Sequence, residues 1–127
     1  MGYSGEKKFT IYNDRNEDIL QFRLTHFMNG EDNEVKNKVV TKDVFKNNES
    51  FAEIFESVSG RDDQWFIQFN TLEKGCKMTK SLTANMGKEK DDFKIRIEFD
   101  SLVITWSEKG KTSSKKIDIK RVSKIMD

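Results

Sequence analysis

Proline is absent from the 127 residues, which argues against a chain divided by Pro-rich linkers. Cysteine occurs once, at Cys76, so no disulfide can close within the chain. In its strand-like setting Cys76 reads as a half-buried residue rather than a nucleophile. Histidine also occurs once, at His26. With no second His and no Cys pair beside it, a zinc site is excluded, and His26 is left a structural or surface role at a strand end. An excess of one charge is missing too. Lys and Arg number 23 against 22 Asp and Glu, for a net charge of +1, so nothing draws the whole chain toward nucleic acid. No apolar run approaches the roughly 20 residues of a spanning helix. Met1 to Phe9 lacks the apolar core of a secretion signal. Gly2 is followed by Glu6 where the myristoylation pattern has Ser or Thr. The expectation is a cytoplasmic protein, at most peripheral to membranes, with no transmembrane segment, no nucleic-acid partner and no cofactor.

Large apolar side chains are abundant by contrast, with ten Phe and two Trp. A chain of this length predicts one domain over residues 1–127, large enough to bury a core. The stretch from Phe93 to Ile125 is its anchor. Phe93, Ile95, Ile97 and Phe99 alternate with Lys94, Arg96 and Glu98, the period of a strand with one buried face. Asp100-Ser101 reads as a turn. Leu102, Ile104 and Trp106 alternate with Val103 and Thr105 in a second strand, which puts Trp106 in the core. Glu108 to Ser114 is polar, contains Gly110 and reads as a loop. Lys116 to Lys120 alternates again, completing a three-stranded meander that needs a core from the rest of the chain.

Earlier segments supply it. Lys8–Tyr12 and Ile19–Met28 read as strands joined in a hairpin through Asn13–Asn16, with Phe9 and Ile11 on one face of the first and Leu20, Phe22 and Leu24 on one face of the second. Val39–Phe45 reads as a short strand. In Ser50–Gly60, Phe51, Ile54, Phe55 and Val58 fall at i, i+3, i+4 and i+7, Ser50 and Glu53 fit a capping box, and Gly60 stands at a C-terminal cap. That pattern predicts a short docked helix at about 50–59 with those four residues buried. Gln64–Phe69 and Gly75–Leu82 read as strands, and Thr83–Asp92 as a polar, lysine-bearing loop. The predicted class is mainly β, a barrel or sandwich with one short amphipathic helix.

Catalytic patterns are missing. The sequence has no Ser-His-Asp ordering, no phosphate-binding Gly-rich loop and no H-E-x-x-H. Asp62-Asp63 and Asp91-Asp92 read as solvated turns. A non-catalytic protein is expected. Basic residues are the better lead, including the strip Lys109, Lys111, Lys115, Lys116, Lys120, Arg121 and Lys124. Lysines near an anionic leaflet contribute about 1 kcal/mol each.

Taken together, Leu72-Glu73-Lys74-Gly75-Cys76-Lys77-Met78-Thr79-Lys80, Phe93-x-Ile95-x-Ile97-Glu98, Ile104-Thr105-Trp106-Ser107 and Ile117-Asp118-Ile119 resemble the first four strands of a pleckstrin-homology (PH) domain of the phospholipase C type, over residues 70–127. Three further strands and a C-terminal helix would have to come from the first half, in permuted order. The resemblance implies a binding module for phosphoinositides, other anionic membrane lipid or a protein partner in signalling. Lys80 falls on the first-strand lysine of that family and Lys111 near a basic position after the third strand. Lys88 and Lys90 lie in the loop over the phosphates, with Lys94 and Arg96 assisting. Asp91-Asp92 and Leu82 replace basic residues there, which implies poor selectivity among headgroups. The chain is also similar to aegerolysin-type β-sandwiches, small toxins that bind membrane lipids, at Ile11-Tyr12-Asn13, Gly30 and Ser59–Asp63. A third reading is a structural interaction domain. Ser50–Val58 separates the first two readings: a helix there favours the PH barrel, an all-strand chain the sandwich.

Overall fold

A computed structural model describes residues 4–29, 35–58, 63–71, 75–79, 82–84 and 90–121. The alternating stretches become strands, because apolar residues at every second position can share a buried face only on a pleated chain. In order they are β1 (Ser4–Asn13), β2 (Ile19–Asn29), β3 (Val35–Phe45), β4 (Ser50–Val58), β5 (Asp63–Thr71), β6 (Gly75–Met78), β7 (Leu82–Thr83), β8 (Lys90–Ile97), β9 (Ser101–Glu108), β10 (Lys111–Asp118) and β11 (Lys120–Arg121). They build two sheets, ordered β10-β9-β8-β1-β4 and β11-β6-β5-β2-β3, with β7 paired to β5. The expected meander is β8-β9-β10, and β8 continues the sheet by pairing in parallel with β1.

The inner faces meet through aromatic side chains. Phe9, Phe55 and Phe93 of the first sheet surround Trp65 of the second or one another, with ring centroids 4.5 to 5.3 Å apart. Ile11, Ile95, Ile97, Leu102 and Ile104 on one side and Ile19, Phe22, Leu24 and Ile67 on the other belong to the same core. Trp106 is buried, as its strand phase predicts.

Several expectations are corrected. Among the described residues the sheets do not close into a barrel, and no helix is present. Ser50–Val58 is a strand paired along its whole length with β1. Phe55 is buried and Phe51 partly so, while Ile54 is 49% exposed on the opposite face. Phe51, Ile54 and Phe55 fit a helical spacing because Ile54 is an apolar residue on the outer face, and the Val58 side chain lies outside the described residues. The long partner strand outweighs the two helical turns that the capping box could start.

The first two strands do not form a hairpin. β1 lies in the first sheet and β2 in the second. The chain crosses between sheets at residues 14–18. Buried Asn13 organises the crossing: its Nδ2 donates to Phe45 O at 2.8 Å and Glu17 O at 2.9 Å, and its Oδ1 accepts from Arg15 N at 3.0 Å. The buried Arg15 guanidinium pairs with Glu17 at 2.8 Å, donates to the Glu98 and Phe99 carbonyls and lies over the Phe69 ring at 4.9 Å. Phe99 itself is 70% exposed, since β8 ends at Ile97 and the phase of the strand ends with it. Glu108–Ser114 is not a loop. Lys109-Gly110, with φ of 52° and 78°, forms a two-residue turn, and Lys111 already pairs with Glu108. An edge strand with polar residues on both faces carries little periodicity, which is why it reads as loop. Likewise, part of the Thr83–Asp92 loop is strand, in β7 and β8. Leu20 faces outward and Ile19 inward, because a bulge between Leu20 and Arg23 switches the phase of β2.

The β3–β4 turn is fixed by Glu49. Its Oε1 accepts from Lys46 N at 3.0 Å, and that hydrogen bond, with help from Lys42, holds the carboxyl below its usual range. A depressed carboxyl stabilises the fold above the ordinary glutamate range, and that contribution is lost as pH falls through the lower, folded value. Glu49→Gln should therefore flatten the acid limb of a Tm-against-pH profile and leave its neutral limb unchanged in shape. Phe55→Ala should cost about 3–5 kcal/mol in urea denaturation. Ile54→Ala should stay within about 0.5 kcal/mol. Equal losses at the two positions would mean that β4 has the wrong phase.

Candidate functional site

The candidate basic residues separate into groups. Lys80 and Lys88 lie outside the described residues. Lys90 and Lys111 are both cross-strand neighbours of Glu108, at one end of the first sheet. Lys90 Nζ sits over the Trp106 ring at 4.9 Å, which commits it to covering a core residue. Lys111 is exposed beside the β9–β10 turn. Lys94 and Arg96 are elsewhere, on the outer face of β8 between β1 and β9.

That outer face is built from rows of opposed residues. One row runs Tyr12, Arg96, Val103 and Lys116; the next runs Thr10, Lys94, Thr105 and Ser114. Lys8 precedes Thr10 on the same face of β1, opposite Ile54 of β4. The core takes Phe9, Ile11, Phe93, Ile95, Leu102 and Ile104, so the intervening polar residues are forced onto this one surface. The hydroxyls of Thr10, Thr105 and Ser114 lie between the cations.

The cations are held to different degrees. Arg96 Nη1 donates to Asp14 Oδ2 at 3.0 Å, and its guanidinium covers the Tyr12 ring at 4.3 Å. Lys94 Nζ is 3.8 Å from Asp92 Oδ2, beyond hydrogen-bond length, and both side chains are partly or well exposed. Asp91 and Asp92 are therefore not a turn. They lie at a bulge of β8, where Asp92 has φ of 54°, and Asp92 leans toward the basic face. Lys8 and Lys116 are exposed, with no ion-pair partner among the described residues. Lys8 was not among the expected residues, although its phase opposite Phe9 and Ile11 marks it as outward.

His26 and Asp63 form a second polar pair, in the core rather than at the surface. Asp63 was expected in a solvated turn but is fully buried at the start of β5, where His26 Nε2 lies 2.8 Å from Asp63 Oδ1. His26 stacks on Trp65 at 4.1 Å and meets the Phe55 ring edge-on. Both side chains are buried among core rings, the setting of a structural pair. The Cys76 position is in β6. Among the described residues no group of three His, Cys, Asp or Glu could hold a metal ion, and no helix is long and apolar enough to cross a membrane.

Removing the imidazole should take one hydrogen-bond partner from the buried carboxylate. His26→Ala is expected to cost about 1–3 kcal/mol from the lost buried hydrogen bond. The double variant with Asp63→Leu should recover part of that loss, read by chemical denaturation. Compared as a sequence, the chain matches no protein-family model and no curated protein.

Proposed function

We propose that this protein is a non-catalytic binding module that docks weakly on anionic membrane surfaces, phosphoinositide-bearing ones included, through the outer face of its first sheet. The observation that carries the reading is that strand register brings Lys8, Lys94, Arg96 and Lys116 onto one open face, with Glu6, Glu56 and Asp118 towards its margins. Exposed ion pairs such as Lys94–Asp92 are worth at most about 1 kcal/mol. One lysine gains about as much from an anionic leaflet, so a lipid headgroup competes on even terms. Docking of this kind is weakened by salt and selects charge more than headgroup stereochemistry. Ile54, exposed beside Lys8, adds an apolar contact at the edge of the face. An all-strand course through Ser50–Val58 favours the aegerolysin-type resemblance over the helix-capped PH barrel. Both resemblances point to membrane lipid.

The test is co-sedimentation with vesicles of phosphatidylcholine alone, with phosphatidylserine added, or with a phosphatidylinositol bisphosphate added, at two salt concentrations. Binding should appear only with the anionic lipids and fall as salt rises. Lys8→Gln with Lys116→Gln changes two exposed side chains, so the fold should persist while partitioning drops roughly thirtyfold. Asp92→Asn should strengthen binding, since Asn also tolerates the left-handed backbone of the bulge. Absence of binding to every vesicle at low salt would sink the lipid reading and favour a protein partner.

A further inference from the structure

The outer face of the second sheet holds a depression of about 390 Å³. A bulge creates it. β2 advances from Leu20 to Arg23 while β5 advances only from Asn70 to Gln68. Gln21, inside that extra step, takes a left-handed φ of 50°. Pairing of β2 with β3 stays in one register, so the phase change passes to β3 as well. Val40 and Phe45 are both buried there although an odd number of residues apart, and Thr41, Asp43 and Val44 are exposed. Gln21 and Arg23 from β2, Thr41 and Asp43 from β3, and Gln68 and Asn70 from β5 line the depression, with Phe22 and Phe69 behind them.

Glutamine is a poor choice for the backbone alone. The left-handed region favours Gly, Asn or Asp, and a glycine would make the bulge without strain. Strain retained beside a polar depression is a pattern of ligand sites. The Gln21 amide is also fixed in place: Asn70 Nδ2 donates to Gln21 Oε1 at 2.6 Å. Gln21 keeps its N–H donors and Asn70 its carbonyl oxygen, so the pair offers both halves of a hydrogen bond.

Charge selects the class of ligand. Arg23 and Asp43 are exposed, and neither has an ion-pair partner among the described residues. Lys42 is engaged already, 3.4 Å from Glu49 and over the Phe51 ring at 4.8 Å. An anion would meet Asp43 and a cation would meet Arg23. A neutral ligand with several hydroxyls can bond both of them and the amides together. From the bulge, the amide cluster and the opposed charges, we infer that the depression binds a neutral polyhydroxylated ligand, a saccharide, either free or as the headgroup of a glycolipid. Phe22 and Phe69 are buried and offer no exposed ring to stack on, so affinity rests on polar contacts.

The experiment follows the side-chain amide resonances of Gln21, Gln68 and Asn70 in 15N-labelled protein during titration with glucose, galactose, mannose, N-acetylglucosamine and lactose. At least one sugar should move all three saturably. Gln21→Gly keeps the bulge and should not lower Tm, and Asp43→Ala changes an exposed side chain. Each should weaken binding about tenfold, the worth of one good hydrogen bond. Phosphatidylcholine vesicles with and without galactosylceramide separate the two sources: capture by the glycolipid vesicle identifies a headgroup, and binding of free sugar alone identifies a soluble glycan. No movement with any sugar overturns the inference. So does movement that both variants leave intact, or a response to inorganic phosphate in place of sugar. The vesicles carry no net charge and the variants leave Lys8, Lys94, Arg96 and Lys116 in place, so this outcome is independent of anionic docking.

Discussion

Trp65 stands between the two sheets with the Phe9 ring 4.7 Å away on one side and the His26 imidazole 4.1 Å away on the other. Phe55 closes on it edge-to-face at 4.9 Å, and Phe93 extends the stack beyond Phe9 at 4.5 Å. Facing sheets lie about 10 Å apart, and rings of this size fill such a gap where aliphatic side chains from one sheet could not. Most other features follow from that packing. A histidine stacked on a central indole is necessarily dry, and a dry imidazole needs an acceptor. Asp63 therefore enters the core, fully buried, at the first residue of β5. The indole nitrogens of Trp65 and Trp106 are buried without a hydrogen-bond partner among the described residues, a cost borne for the area those rings remove from water.

With both inner faces committed to rings, the outer faces carry whatever chemistry the chain has. Each bears one bulge containing a non-glycine residue in the left-handed region, Asp92 in β8 and Gln21 in β2. Each of those residues contacts the polar group at the centre of its face: Asp92 approaches Lys94, and Gln21 accepts from Asn70. The two sheets thus present opposite characters. One is an open surface of mixed charge, where Lys8, Lys94, Arg96 and Lys116 stand among Glu6, Glu56, Asp92 and Asp118; the other is a recessed amide cluster. Nothing in the core obliges a choice between them.

How far the sequence could be read depended on how many faces of each strand were committed. β8 and β9 have one buried face and one polar face, so the phases of Phe93, Ile95, Ile97, Leu102, Ile104 and Trp106 were legible from alternation. β10 has no buried face of its own, and its polar run resembled a loop. β4 misled for the converse reason, since an apolar Ile54 on the outer face created a helical spacing by coincidence. The hairpin expected from β1 and β2 was adjacent in sequence but split across sheets, because Asn13 and Arg15 make the crossing through hydrogen bonds that no residue pattern announces. Of the basic face, Lys94 and Arg96 were recognisable. Lys116 stood in the basic strip and Lys8 at an outward phase, but only register puts both on the face of Lys94 and Arg96, and register depends on pairing across most of the chain. The amide depression was invisible, since it arises from an unmatched step between strands rather than from the residues that line it.

The parallel pair of β1 with β8 has a kinetic meaning. Phe9 lies opposite Phe93, so the first strand cannot acquire its second neighbour until the chain has reached the last third of its length. Before then, β1 and β4 can form only a two-stranded ribbon with a bare hydrogen-bonding edge and one apolar face, an arrangement of marginal stability in water. Closing so long a loop must precede any reward from the contacts it makes, which places this sandwich among the slow-folding topologies. During synthesis the nascent chain therefore carries an open template for pairing with its neighbours, and β8 is the segment whose arrival removes it.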